Sequence, residues 1–128
     1  CGLGPMAGQA HHFRQYAPIK IKYAIKRYTD EVNRLYGVMN KQLKKNEYLS
    51  GRYSIADMAC WGWIIPWKNQ GQKISDFPDL KRWFEKVGQR PAVIKGFAAG
   101  KEMRKQLLSE NTKEAKKAKS ILFNQRSR

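Results

Sequence analysis

Residues 53–67 read Tyr53-Ser54-Ile55-Ala56-Asp57-Met58-Ala59-Cys60-Trp61-Gly62-Trp63-Ile64-Ile65-Pro66-Trp67, and this stretch decides the fold. Ser54 suits the N-cap of a helix, its hydroxyl accepting from the backbone N–H of Asp57 while the Asp57 carboxylate reaches back to the Ser54 N–H. Tyr53 and Met58 flank this pair at the positions of a hydrophobic staple. The residues that follow are apolar at nearly every position, which predicts a helix buried all round at the centre of a bundle. Pro66 removes a backbone donor and should kink or end that helix.

Upstream, Ile21, Ile25, Tyr28, Val32, Leu35, Met39 and Leu43 are spaced 4, 3, 4, 3, 4 and 4 residues apart, the period of one helical face. A long amphipathic helix is expected between Ile19 and Lys45, then a loop over Asn46 to Arg52. Residues 1–18, rich in glycine and ending at Pro18, read as the end of an interrupted helix followed by a loop. Downstream, Asp76-Phe77-Pro78 opens a helix with Leu80, Trp83, Phe84 and Val87 on one face. Arg90-Pro91 ends it and starts a short helix that Gly100 is placed to cap. With no alternation of period two, the fold class is all-α, a bundle of about five helices.

The 128 residues are about one domain's worth, and 41% apolar, 12% aromatic and 28% charged residues describe a folded chain. No run approaches the ~20 apolar residues of a bilayer-spanning helix, and no secretory leader pattern is visible. Two cysteines, Cys1 and Cys60, are too few for a disulfide framework, so a reducing, cytoplasmic setting is expected. Cys60, in an apolar run, reads as a small buried hydrophobe rather than a redox thiol. The chain opens Cys1-Gly2-Leu3-Gly4-Pro5-Met6 and is expected to be a piece of a longer protein.

Twenty-six basic residues against ten acidic ones give a net charge of +16, a balance that suits nucleic acid or an acidic partner. Residues 101–128 alone carry nine basic and three acidic side chains. The run Lys113-Glu114-Ala115-Lys116-Lys117-Ala118-Lys119 has little apolar surface to bury, so this basic extension is expected to be partly helical or frayed.

The sequence holds no phosphate loop, no His-Glu-x-x-His, no Gly-x-Ser-x-Gly and no clustered metal-ligand spacing. The neighbours His11 and His12 point to different sides of a helix and cannot ligate one ion as an i, i+4 pair would, so no metal is expected. Arg27 and Arg34, two turns apart, share a face beside the apolar stripe. They are either solvated helix charge or guanidiniums aimed into a cleft. His12, Phe13, Tyr16, Trp61, Trp63 and Trp67 either line a hydrophobic pocket or form core, with Tyr16 the best placed for an exposed pocket wall.

The segment Ser54-Ile55-Ala56-Asp57-Met58-Ala59 is similar to the capping-box element in the all-helical C-terminal domain of cytosolic glutathione transferases. Gly2-Leu3-Gly4-Pro5-Met6, Gly8-Gln9-Ala10-His11-His12-Phe13, Tyr23-Ala24-Ile25-Lys26-Arg27-Tyr28, Arg34-Leu35-Tyr36-Gly37-Val38 and Arg90-Pro91-Ala92-Val93 look like the nu-class bacterial enzymes and their fungal relative, the prion-forming nitrogen regulator. The resemblance covers residues 1–97.

The resemblance implies a glutathione transferase C-terminal domain over residues 1–100, starting inside its first helix, with residues 101–128 as the basic extension. It further implies a thioredoxin-like domain upstream that binds glutathione and activates its thiol, and a homodimer. The helical domain would close the site and supply the electrophile pocket, for which His12, Phe13 and Tyr16 are the candidates. By the same resemblance Arg27 is the glutathione-binding arginine, with Arg34 as the fallback; a guanidinium fork suits a carboxylate of the tripeptide. Lys26 stands where the family pattern has Glu, a reversal of charge beside that site. The implied chemistry of the full-length protein is glutathione conjugation or glutathione-dependent disulfide reduction, and the chain alone is expected to be catalytically silent. The competing reading is a non-enzymatic basic helical module that binds nucleic acid or an acidic partner. A third is a regulator of the nitrogen-control kind that keeps the fold without the activity.

Overall fold

A computed structural model describes residues 2–108 together with Lys113, Lys117 and Ile121; side chains are described through Lys101 and at those three positions. The described residues form two compact units, residues 1–88 and 89–128. In the first, α1 (Leu3–His11) runs into a π-helical turn (His12–Tyr16), followed by α2 (Lys22–Leu43), α3 (Ile55–Ile64), a 3₁₀ turn (Ile74–Asp76) and α4 (Pro78–Gly88). The second contains α5 (Pro91–Leu108). Among the described residues there are five α-helices and no extended strand, as the periodicities require.

The 22-residue α2 is the spine of the first unit. Its apolar stripe turns inward from Val32 onward, where Val32, Tyr36, Met39 and Leu43 are buried. α2 packs against α1 and α4, and Leu80, Trp83 and Val87 of α4, Ile64 at the end of α3, and Ala7 and Ala10 of α1 complete the buried core. Each large side chain removed from water here contributes about 1.5–3 kcal/mol. The N-terminal third of the expected stripe lies outside this core: Ile21 is exposed and precedes the helix.

α4 begins without a cap of its own, because Pro78 has no N–H and Phe77 has no capping oxygen. The deficit is met across the bundle, where Asn40 of α2 accepts from the N–H groups of Asp79 at 2.9 Å and Leu80 at 3.0 Å. In return Arg82 of α4 donates to the carbonyl of Leu43, the last residue of α2, at 2.7 Å and to that of Asn46 in the loop after it at 3.2 Å. Each helix thus satisfies the other's terminus.

α3 corrects one expectation. Asp57 and Ile64 are its buried residues, while Ile55 is 81% exposed, Met58 56% and Trp63 45%. The helix is apolar all round but covered on one side only. Trp63 packs so closely on α1 that a Cβ at Gly4 would lie 2.9 Å from its ring, and Trp61 stacks on Phe84 at 5.6 Å while its N–H donates to the Phe84 carbonyl. A second correction concerns Gly100, which does not end a helix: α5 passes through it to Leu108. The expectation of a frayed extension beyond Leu108 lies outside the described residues, Lys113, Lys117 and Ile121 apart.

Candidate functional site

The capping box closes at the start of α3. Asp57 Oδ2 accepts from the Ser54 N–H at 2.9 Å and from the Ser54 hydroxyl at 3.3 Å, and Ser54 Oγ accepts from the Ala56 N–H at 3.3 Å. The other carboxylate oxygen, Oδ1, accepts from the Trp83 indole N–H at 2.7 Å and from the Leu49 N–H at 3.0 Å. Asp57 is fully buried, so this one side chain joins α3, α4 and the loop after α2. Both oxygens are committed to donors, which makes Asp57 a fold residue and leaves it no lone pair directed at a ligand. Next to it, burial and the Asp57 charge push the Cys60 thiol above its ordinary pKa, the condition of an unreactive thiol.

The aromatic candidates gather elsewhere, on the π turn that prolongs α1. A π turn adds a residue to the helical repeat and swings the side chains that follow. His12 meets Phe13 edge-on at 5.2 Å, Phe13 stacks on Tyr28 of α2 at 5.5 Å with rings 7° from parallel, and His11 packs on Tyr16 at 5.2 Å. Phe13 therefore serves as the bridge between α1 and α2. Tyr16 is 52% exposed, and His12, four residues before it, is half-buried.

This region also holds unspent polar capacity. His11 Nε2 and Arg14 Nε are buried with no hydrogen-bond partner among the described residues, and burial lowers the His11 pKa. The Arg14 guanidinium lies against Gly71, so close that a Cβ there would fall 2.6 Å from Cζ; Gly71 has φ +75° besides. The loop carrying Gly71 is fixed by two buried glutamines. Tyr36 donates to Gln70 Oε1 at 2.8 Å, Gln70 Nε2 donates to the Trp63 carbonyl at 2.7 Å, and Gln72 Nε2 donates to the Thr29 carbonyl at 2.9 Å. Burial holds the Tyr36 phenol well above its usual pKa, so it remains a donor. Sequence reasoning missed both glutamines, because nothing local distinguishes them from solvated loop residues.

The two arginines separate clearly. Arg34 donates to both carboxylate oxygens of Glu31, at 2.9 and 2.7 Å, and this bidentate pair lowers the Glu31 pKa. Arg27 is exposed, adjoins Tyr28 in sequence and makes no ion pair among the described residues. Lys26 is paired with Asp30, so its charge is locally compensated. Among the described residues no group of three or more His, Cys, Asp or Glu side chains could hold a metal ion, and no helix is long and apolar enough to cross a membrane.

A capping-box helix between a long α2 and a short α4, with no strand among the described residues, defines an all-helical domain. The sequence profile of the glutathione S-transferase C-terminal domain matches residues 10–99, and the chain belongs to that family. It is 50% identical over 93 residues to the disulfide-bond oxidoreductase YfcG of Escherichia coli, covering 72% of this chain and 43% of that protein. Among solved structures it is similar to the yeast prion protein Ure2p in complex with glutathione, with TM-score 0.69, 38% identity and coverage of 73% of this chain and 48% of that one. A glutathione transferase from Burkholderia graminis with two glutathione molecules bound per subunit gives TM-score 0.67, 34% identity, and coverage of 74% and 43%. The chain spans less than half the length of these relatives.

Proposed function

We propose that this domain belongs to a cytoplasmic, homodimeric glutathione-dependent transferase or disulfide reductase, and that it holds the tripeptide and the second substrate while a thioredoxin-like domain activates the thiol. Arg27 binds a glutathione carboxylate, and His12, Phe13 and Tyr16 wall the pocket for the electrophile or disulfide. The observation that carries this reading is the contrast between the two arginines: Arg34 is hydrogen-bonded to both oxygens of Glu31, whereas Arg27 is exposed, makes no ion pair among the described residues and precedes Tyr28, the α2 residue on which Phe13 stacks. An exposed guanidinium and aromatic side chains suit the two ends of a ligand that carries a carboxylate at one end and an apolar or sulfur-bearing group at the other. Tyr16, Ile55 and Met58 are exposed apolar surface of the kind a second domain covers.

The test uses two proteins. The 128-residue chain alone should not turn over a chlorodinitrobenzene-type electrophile or a model disulfide with glutathione. A fusion in which this chain replaces the matching segment of the Escherichia coli YfcG protein should reduce the disulfide with glutathione. Robust turnover by the chain alone, or a folded, monodisperse fusion without activity, contradicts the proposal.

A further inference from the structure

The net charge of +16 is far more than one arginine on a glutathione carboxylate requires, and in the first unit it is unevenly compensated. Residues 1–88 contain fifteen basic and seven acidic side chains. Asp57 is buried, and each of the other six acids already sits in an ion pair: Asp30 with Lys26, Glu31 with Arg34, Glu47 with Lys86, Asp76 with Lys73, Asp79 with Arg82 and Glu85 with Lys81. No exposed carboxylate is left over to neutralise the remaining cations. Four of these, Lys41, Lys44, Lys45 and Arg52, fall within twelve residues at the C-terminal end of α2, and all four are exposed.

Lysines at a helix C-terminus ordinarily offset the helix dipole. Here Arg82 already donates to the carbonyls of Leu43 and Asn46, so that role is filled from α4. Gln42 Nε2 donates to the Leu49 carbonyl at 2.9 Å, and Asn46 Nδ2 donates to the Gln42 carbonyl at 3.0 Å. These bonds tie the start of the loop that leads to Arg52 back onto the end of α2. Like charges grouped this way repel one another, and an array of phosphates relieves the repulsion.

We propose that the end of α2, through Lys41, Lys44, Lys45 and Arg52, is a docking surface for the phosphate backbone of duplex nucleic acid, independent of the glutathione site. The surroundings select this partner. Within residues 41–52 no large apolar side chain is exposed, while Val38 and Ile55 are exposed on either side of that stretch in sequence, so the vesicle arm of the test separates a lipid surface from the duplex. Tyr48, the aromatic within the patch, is buried, so no platform is offered on which single-stranded bases would stack. Charge without apolar or aromatic anchors is what sequence-independent backbone binding requires.

The test is fluorescence anisotropy of a labelled mixed-sequence DNA duplex titrated with the full 128-residue chain across a salt series starting at about 50 mM. Binding is expected, and log K should fall against log salt. The variant Lys41→Glu, Lys44→Glu, Lys45→Glu, Arg52→Glu should lose at least tenfold in affinity at low salt and flatten the slope by about 3, since each phosphate contact contributes close to one unit. The charge-matched control Lys22→Glu, Lys68→Glu, Lys73→Glu, Lys95→Glu should stay within about threefold of the parent. The corresponding Gln variant of the patch, which avoids new acidic charge, should fall between parent and Glu variant. No binding at low salt, equal losses in patch and control variants, or binding to phosphatidylserine vesicles without binding to the duplex would each overturn the proposal.

Discussion

The start of α3 and the end of α1 are built from similar materials, aromatic rings and a few polar side chains, yet they are finished differently. At the start of α3 the Asp57 carboxylate takes four donors, and the neighbouring Trp61 and Trp83 indoles each reach an acceptor. At the end of α1, His11 Nε2 and Arg14 Nε are buried without partners among the described residues, and Tyr16 is exposed. Stability is concentrated where polar groups are saturated. The end with polar capacity to spare is the one where the ligand pocket is proposed.

The contrast breaks most severely at Asp57. Asp57→Ala strands the Trp83 and Leu49 N–H groups in the interior and should cost about 3–5 kcal/mol, read as a lowered urea midpoint. At the other end, Gly71→Ala forces a side chain onto a residue at φ +75° and against the Arg14 guanidinium, for about 1–2 kcal/mol in the same measurement. It should also displace the π turn, visible as shifted His12 and Tyr16 resonances. Ser54→Ala removes a cap whose bond to Ala56 is long and should cost about 1 kcal/mol, with the Asp57 contacts to Trp83 and Leu49 preserved.

The smallest effect sharpens the comparison through pH. The His11 pKa is lowered in the folded chain by burial, so the unfolded chain binds the proton more tightly. Stability contributed by neutral His11 is therefore complete above the unfolded value of 6.5 and is lost as pH falls from there toward the folded value. Urea midpoints at about pH 7.5 and 5.5 should differ in the wild-type chain and converge in His11→Gln, the difference amounting to less than about 1 kcal/mol.

Where a pattern repeats along one element, the sequence was enough to read it. The spacing from Val32 to Leu43, the Ser54/Asp57 pair and the proline openings of α4 and α5 are local signals, and the helices follow them. The ties between elements have no such signal. Asn40 capping α4, Arg82 closing α2, and Gln70 and Gln72 anchoring the Gly71 loop each join residues more than thirty positions apart or sit in a loop of ordinary polar composition. The apolar run of α3 announces burial but does not name what covers it, which is why full burial was expected and one-sided burial observed. Arg27 and Arg34 are equivalent by periodicity alone. Glu31 lies within one turn of both, four residues after Arg27 and three before Arg34, and only the placed side chains show its two hydrogen bonds going to Arg34.

That distinction gives the most direct test. In the fusion with the Escherichia coli YfcG protein, the KM for glutathione would be measured for Arg27→Ala and Arg34→Ala, with kcat followed in parallel. Loss of a charged hydrogen bond to a carboxylate is worth about 1.5–3 kcal/mol, so Arg27→Ala should raise KM by roughly 10- to 100-fold while Arg34→Ala leaves it within about twofold. A KM that rises with Arg34→Ala and is indifferent to Arg27→Ala would contradict the account.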